Sequence, residues 1–380
     1  MLKNAGLDTA RDGFGTEGRD LARMDGGPIQ HMPTRVMIVD DSRSIRRWLR
    51  FVLEQDERLE VVGEASCASE ARRMLDHLQV DVMTLDVNMP GMSGLEFLSR
   101  LMIHHPLPVV MVSALTEAGS REAIEALSLG AVDCIEKPRS AFAPNVAVQI
   151  CERVLQAAHT RVQPGAAGRR IARKELVPPP EAQWRGDVIL IGASTGGVTA
   201  LERVLREVDE IACPIVLAQH MPENFLRSFT RRLNENYRRR FTLAQDGMAL
   251  EPGQAVIAIG KDVSTRLIRR TDGTITCALA APSAEVLYRP SVDDLFLSAA
   301  DAGLSGAAAV MTGMGDDGAR GLLALRKAGF FTMTQNESTS VVYGMPRAAY
   351  ELGAADLALS PDEIGQRIAS RMKAQSAGRI

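Results

Sequence analysis

Short apolar runs alternate along the chain with longer stretches of helical periodicity. Arg35-Val36-Met37-Ile38-Val39 reads as a strand that stops at Asp40-Asp41, and Ser42 suits the N-cap of a helix running to about Glu54. Leu59 to Gly63 is a second strand, with Glu70 to His77 in the helix that follows it. Asp81 to Leu85 is a third strand ending at Asp86, and Met89-Pro90-Gly91-Met92-Ser93-Gly94 is turn chemistry before a helix to about His104. Pro108 to Val112 is a fourth strand ending at Ser113, and Arg121 to Leu129 is helical. Ala131 to Glu136 is a fifth strand, closed by Lys137-Pro138, and a helix covers roughly 143–158. Strict β-α alternation with short buried strands predicts a parallel sheet with helices on both faces.

The pattern fades from Thr160 to Trp184, where Arg161, Arg169, Arg170, Arg173 and Lys174 are followed by Pro178-Pro179-Pro180. This reads as an exposed basic hinge stiffened by prolines, and its run of arginines carries no aromatic residue that would stack on bases. Alternation resumes at Val188 to Ile191, which runs into Gly192-Ala193-Ser194-Thr195-Gly196-Gly197 and then a helix to Val208. Pro214 to Ala218 is a strand followed by Gln219-His220-Met221-Pro222, and Phe225 to Leu233 fits a helix. Ala255 to Ile259 is a strand, and two further runs flank Asp272-Gly273, a hairpin signal that suggests an antiparallel addition to a mostly parallel sheet. Ser291 to Ala300 is helical, Ala307 to Met311 and Phe330 to Thr334 are strands, and the segment from Pro361 is helical. The expected division is a disordered lead (1–33), a first α/β domain (34–158), a linker (159–184) and a second α/β domain (185–380).

Composition narrows the classes. The 380 residues suffice for about two domains, and 46% hydrophobic with 24% charged residues is globular usage. A formal charge of −3 offers no general attraction to nucleic acid or anionic membrane. Cys67, Cys134, Cys151, Cys213 and Cys277 form no C-x-x-C pair, which argues against a disulfide framework or zinc site and fits a reducing compartment. No apolar run approaches the roughly 18 residues of a membrane span. The glycine-rich start lacks the apolar core of a signal peptide, so a cytoplasmic protein is expected.

In doubly wound sheets ligands gather outside the carboxyl ends of the strands. Asp40, Asp41, Asp86, Ser113 and Lys137 all fall at such ends. Converging carboxylates repel unless a hard cation joins them, and oxygen ligation suits Mg²⁺. A lysine and a hydroxyl beside them could hold a phosphoryl group. Each aspartate alone would read as a helix cap; five such residues in register do not. Residues 34–158 resemble the receiver domain of two-component response regulators, a flavodoxin-like fold. The resemblance implies that Asp86 accepts a phosphoryl group from a histidine kinase. It further implies that Asp41, Asp86 and the carbonyl of Asn88 ligate Mg²⁺ with Asp40 nearby, and that Ser113 and Lys137 sense the phosphoryl group. A cis peptide at Lys137-Pro138 is expected on the same ground.

The Gly192–Gly197 stretch is ambiguous by itself. A strand, tight glycine turn and helix can raise a serine nucleophile on an elbow, and can equally cradle a phosphate at the helix N-terminus. A nucleophile needs a base and a group to orient it. Beyond the linker the one histidine is His220, at the carboxyl end of the next strand; Asp316 and Asp317 are the orienting candidates, and spacing does not separate them. A nucleotide-binding reading lacks the G-x-G-x-x-G spacing and the P-loop lysine and leaves His220 unexplained. A DNA-binding output would need a recognition helix that this strand-rich half does not offer.

The motifs Gly-Ala-Ser-Thr-Gly-Gly, Gln-His-Met-Pro, Thr312-Gly313-Met314-Gly315-Asp316-Asp317-Gly318 and Ser338 to Pro346 look like the catalytic domain of chemotaxis protein-glutamate methylesterases, here a Rossmann-like, mostly parallel sheet with a hairpin. The resemblance implies Ser194 as nucleophile, His220 as general base and acid, and Asp317 as orienting carboxylate, with Thr195 and Met314 lining the site and backbone N–H groups there as oxyanion donors. It implies demethylation of glutamyl methyl esters on chemoreceptors, with deamidation of receptor glutamines by the same acyl chemistry and no cofactor for that reaction; a monomer is expected, and the hinge-like linker suggests a receiver that covers the crevice until Asp86 is phosphorylated. One position departs: many members carry histidine two residues before Pro290, where this chain has Tyr288.

Overall fold

Two parallel sheets, each wound by helices, carry the polar strand ends. The computed structural model describes residues 32–113, 116–137, 144–160, 186–260, 262–283 and 288–374. The expected lead and linker fall almost wholly outside these residues, as does Pro138 with its expected cis bond.

The first sheet contains β1 (Thr34–Val39), β2 (Leu59–Ala65), β3 (Val82–Asp86), β4 (Val109–Ser113) and β5 (Asp133–Glu136), in the order β2-β1-β3-β4-β5. All pairs are parallel. Every residue of β3 and β4 is buried, which is why they read as continuous apolar runs: helices cover both faces. Those helices are α1 (Arg43–Leu53), α2 (Ala68–Leu75), α3 (Gly94–His104), α4 (Glu117–Leu129) and α5 (Pro144–Ala158). Ser42 does occupy the N-cap of α1, but its side chain caps nothing; instead its N–H donates to Asp40 Oδ1 at 2.9 Å. The strand order reverses between β1 and β3, so Asp40, Asp41 and Asp86 share one crevice.

The second sheet has seven parallel strands in the order β14-β13-β12-β6-β7-β9-β8. They are β6 (Val188–Ala193), β7 (Ile215–Gln219), β8 (Arg240–Leu243), β9 (Gln254–Ile257), β12 (Gly306–Val310), β13 (Phe331–Gln335) and β14 (Leu357–Leu359). Its helices are α6 (Gly197–Val208), α7 (Glu223–Asn236), α8 (Val292–Asp301), α9 (Ala319–Lys327), α10 (Met345–Glu351) and α11 (Pro361–Ala374). The hairpin β10 (Ser264–Arg269) and β11 (Ile275–Ala280) turns at Gly273, whose φ of +86° suits glycine. It joins neither large sheet but forms its own two-stranded sheet, fastened to α8 where Leu267 N–H donates to Ser298 Oγ at 2.9 Å. The chain departs from β6 in opposite directions, toward β7 and back to β12, which makes the β6/β12 boundary the switch point.

Candidate active site and phosphoacceptor site

Ser194 stands immediately after β6 and its backbone is held from two neighbouring strand ends. Its N–H donates to the Thr312 carbonyl at 2.9 Å, and its own carbonyl accepts from Gly197 N–H and from Gln219 Nε2, both at 2.8 Å. The glycines of the elbow are steric necessities. A Cβ on Gly197 would lie 2.1 Å from Gln219 Oε1, one on Gly313 would lie 2.6 Å from Ser194 Cβ, and Gly196 has φ of +76°. The sharp turn leaves the N–H groups of Thr195 and Met314 without a protein acceptor among the described residues.

His220 follows β7, its N–H bonded to the Ala193 carbonyl at 2.9 Å. The imidazole is buried, and its Nε2 lies 2.8 Å from Asp317 Oδ2, while Nδ1 has no hydrogen-bond partner. Asp317, not the exposed Asp316, is therefore the carboxylate that meets the histidine. Asp317 is gripped by the N-terminus of α8: Val292 N–H donates to Oδ2 at 2.8 Å, Asp293 N–H to Oδ1 at 2.9 Å and Ser291 Oγ to Oδ1 at 3.2 Å. Burial works to raise this carboxyl, but His220 and those donors outweigh it and hold the group below the usual aspartate range. Ser194 and His220 line one cavity, although no hydrogen bond joins Ser194 Oγ to the imidazole among the described residues. Such bonds are commonly long before substrate is bound.

Thr195 and Met314 behave differently from the expected pair of lining side chains. Met314 is half-buried in the turn after β12. The Thr195 hydroxyl is buried and committed to Asp133 Oδ2 on β5 at 3.1 Å.

In the first sheet, carboxylate oxygens of Asp40, Asp41 and Asp86 all lie within 4.8 Å of one another. Lys137 Nζ bridges two of them, 2.9 Å from Asp40 Oδ2 and 2.8 Å from Asp86 Oδ2. Burial pushes the Asp86 carboxyl up, with Lys137 opposing and the Asp40 charge adding to it. Burial also pulls against the Lys137 ammonium, which its two carboxylate partners nonetheless hold above its ordinary value. Asn88 N–H donates to Asp86 Oδ1 at 3.3 Å, and buried Ser113 ends β4, its carbonyl accepting from Lys137 N–H at 2.8 Å.

The family model described as CheB methylesterase matches residues 189–368, and that of the response regulator receiver domain matches 36–143. A protein-glutamate methylesterase/protein-glutamine glutaminase of Caulobacter vibrioides is 42% identical over 340 residues, 88% of this chain and 96% of the relative. One from Dechloromonas aromatica is 42% identical over 348 residues, 90% of this chain and 99% of the relative. This chain belongs to the protein-glutamate methylesterase/protein-glutamine glutaminase family. Among solved structures, the Thermotoga maritima CheB methylesterase catalytic domain is 30% identical and covers 49% of this chain and 99% of its own, with a TM-score of 0.46.

In this methylesterase the receiver packs over the crevice that holds Ser194. The shared cavity is lined from one side by Ala131, Asp133, Cys134 and Arg153 and from the other by Ser194 and His220, and its volume is about 20 Å³. That is room for roughly one water. Arg153 on α5 forks onto both oxygens of Asp133, which in turn accepts from Thr195. The motifs pointed to Ser194, His220 and Asp317 but not to their supports. Ser291 lies outside the motifs, Tyr288 was marked only as a departure from the family pattern, and nothing in the Gln-His-Met-Pro motif showed that Gln219 would hold the Ser194 carbonyl.

Proposed function

We propose that the chain is a phosphorylation-gated serine esterase that hydrolyses glutamyl γ-methyl esters on chemoreceptors, releasing methanol. The observation that carries this is the arrangement of Ser194 and His220 on one cavity with Asp317 behind the imidazole. Asp317 accepts from Nε2–H and so fixes the tautomer whose Nδ1 lone pair is free to act as base. His220 Nδ1 takes the Ser194 proton as Oγ attacks the ester carbonyl. The Thr195 and Met314 N–H groups are available to the oxyanion. His220 then gives the proton to the departing methoxide oxygen, leaving an acyl-enzyme and methanol. Water, deprotonated by the same nitrogen, attacks the acyl carbon and frees glutamate and Ser194. A glutamine side chain would follow the same course with ammonia leaving, the second activity that the relatives carry in their names.

The gate follows from the 20 Å³ cavity, which cannot admit a glutamyl side chain while the receiver is seated. Phosphorylation of Asp86 by a histidine kinase would unseat it. The clustered carboxylates exceed the one ammonium that faces them and are hard oxygen donors, a set that fits Mg²⁺. Asp41, Asp86 and the Asn88 carbonyl would hold the ion beside Asp40, where it would neutralise phosphoryl oxygens. Ser113 and Lys137 would bind the transferred group. No helix among the described residues is long and apolar enough to cross a membrane, so the receptor would be met at its water-exposed part.

The test is methanol release from methylated receptor membranes by the full chain, with and without a small acyl-phosphate donor. Release that rises with the donor and disappears in Ser194→Ala is expected. Hydrolysis retained by that variant would overturn the reading.

A further inference from the structure

The ring of Tyr288 lies nearly parallel to the His220 imidazole, with centroids 5.2 Å apart and planes 13° from each other. Its other neighbour is the turn after β12: a Cβ on Gly315 would sit 3.1 Å from Tyr288 Cε2. The tyrosine is thus a half-buried plate between the imidazole and the Gly315 backbone. Its own backbone is registered by the next residue, since Met221 N–H donates to the Arg289 carbonyl at 3.3 Å. A few residues further on, the same segment supplies the Ser291, Val292 and Asp293 donors that grip Asp317. One short stretch, 288–293, therefore touches both the histidine and the carboxylate behind it.

From this geometry we infer that Tyr288 is a positioning residue for the esterase reaction: its aromatic face holds the His220 ring in the plane in which Nδ1 can reach Ser194 and favours that ring when it carries a proton. The inference rests on the proposed serine mechanism. The physical basis is twofold. Hydrogen bonding to Asp317 at Nε2 leaves the imidazole free to swing about that bond, and a stacked plate removes that freedom. The negative face of a neutral aromatic ring also attracts a cation, and His220 becomes one in both transition states. Burial, together with the nearby carboxylates of Glu152, Asp316 and Asp317, raises the Tyr288 phenol, which keeps the ring neutral at working pH. Among the described residues no hydrogen bond uses the phenol oxygen, so the ring and not the hydroxyl is assigned the role.

Two readouts on the full chain test this. In acyl-phosphate-activated methanol release, Tyr288→Leu should lower kcat roughly fivefold with KM within about twofold, whereas Tyr288→Phe should stay within about twofold of wild type on both. In proton NMR, with the His220 ring protons assigned by their loss in His220→Gln, the wild-type and Tyr288→Phe signals should show the upfield ring-current shift of a stacked aromatic. Tyr288→Leu, and Tyr288→Ala as a second truncation, should lose it. The proposal fails if truncation leaves kcat and the shift unchanged, if it raises KM alone, or if Phe is as impaired as Leu. A wild-type chain that releases no methanol would sink the esterase reading instead, and the ring-current comparison would still decide whether Tyr288 holds the imidazole.

Discussion

Thr195 Oγ1 and Asp133 Oδ2 meet at 3.1 Å, joining the residue next to Ser194 to the fifth strand of the receiver. Both groups are buried, and Arg153 holds the aspartate from behind. The bond is therefore a latch between the two halves as well as a packing contact. Asp133→Asn keeps the shape but removes the charge that makes the bond strong. Losing a charge-assisted hydrogen bond of about 1.5 kcal/mol would raise methanol release without phosphodonor roughly tenfold. The phosphorylated rate should change little. An Asn variant with unaltered basal release, still activated by phosphodonor, would show that the latch does not hold the gate.

Asp317 makes a second prediction. In the proposed mechanism its carboxylate fixes the tautomer of His220 and stabilises the imidazolium, while three donors from the start of α8 keep its own oxygens in place. Asp317→Asn preserves the volume but presents an amide that can turn its N–H₂ toward the ring and force the wrong tautomer. The loss in kcat should be on the order of 10³ to 10⁴ with KM nearly unchanged. Asp316→Asn, at an exposed position without the histidine contact, should leave kcat near wild type. Equal damage from both variants in the methanol assay would remove Asp317 from its special place.

How much of this was legible beforehand depends on whether the physics was local. The strand-end residues Asp40, Asp86, Ser113 and Lys137 were readable because a buried parallel strand is an unbroken apolar run, so the first polar residue after it marks the ligand side of the sheet. Ser194 and His220 were readable for the same reason. The choice of Asp317 over Asp316 rested on the family resemblance and not on spacing, since adjacent residues in a glycine turn differ only in which way the turn aims them. The direction of the Thr195 hydroxyl was set by the receiver, about 60 residues earlier in the chain. The edge strands β8 and β14 went unseen because they are short: Arg240 is exposed, and none of Leu357–Leu359 is fully buried, so neither gives a sharp pattern. The hairpin turn was announced by Asp272-Gly273, but nothing local said that its strands would stay out of the large sheet and that β11 would bridge only to Ala249 besides β10 among the described residues.

The depressed Asp317 carboxyl ties stability to pH. A carboxylate held below its ordinary value contributes stability that is fully present above the unfolded range, around pH 4, and is lost as pH falls through the folded value. In Asp317→Asn that contribution is absent at every pH. Wild type should therefore exceed the variant in thermal stability at pH 7, and the gap should close progressively below about pH 4. Scanning calorimetry of both proteins from pH 7 to pH 3 measures it. A gap that stays constant over that range would mean that the variant disturbs packing and that the charge is not the source.

The carboxylate cluster of the receiver carries the last prediction. Asp86 is buried and already paired with Lys137, so an incoming phosphoryl group adds negative charge to a site that holds three carboxylates and one ammonium. That balance is unfavourable without a divalent cation, and the exposed Asp41 carboxylate is the group placed to bind one from solvent. Chelation by EDTA should abolish phosphoryl incorporation from an acyl-phosphate donor and with it the stimulation of methanol release, leaving the basal rate intact. Asp41→Asn should weaken the Mg²⁺ requirement curve by roughly tenfold or more, as loss of one charged ligand from an oxygen site does. Asp86→Asn should take up no phosphoryl group at any Mg²⁺ concentration. Stimulation that survives EDTA, or that persists in Asp86→Asn, would place the phosphoacceptor elsewhere.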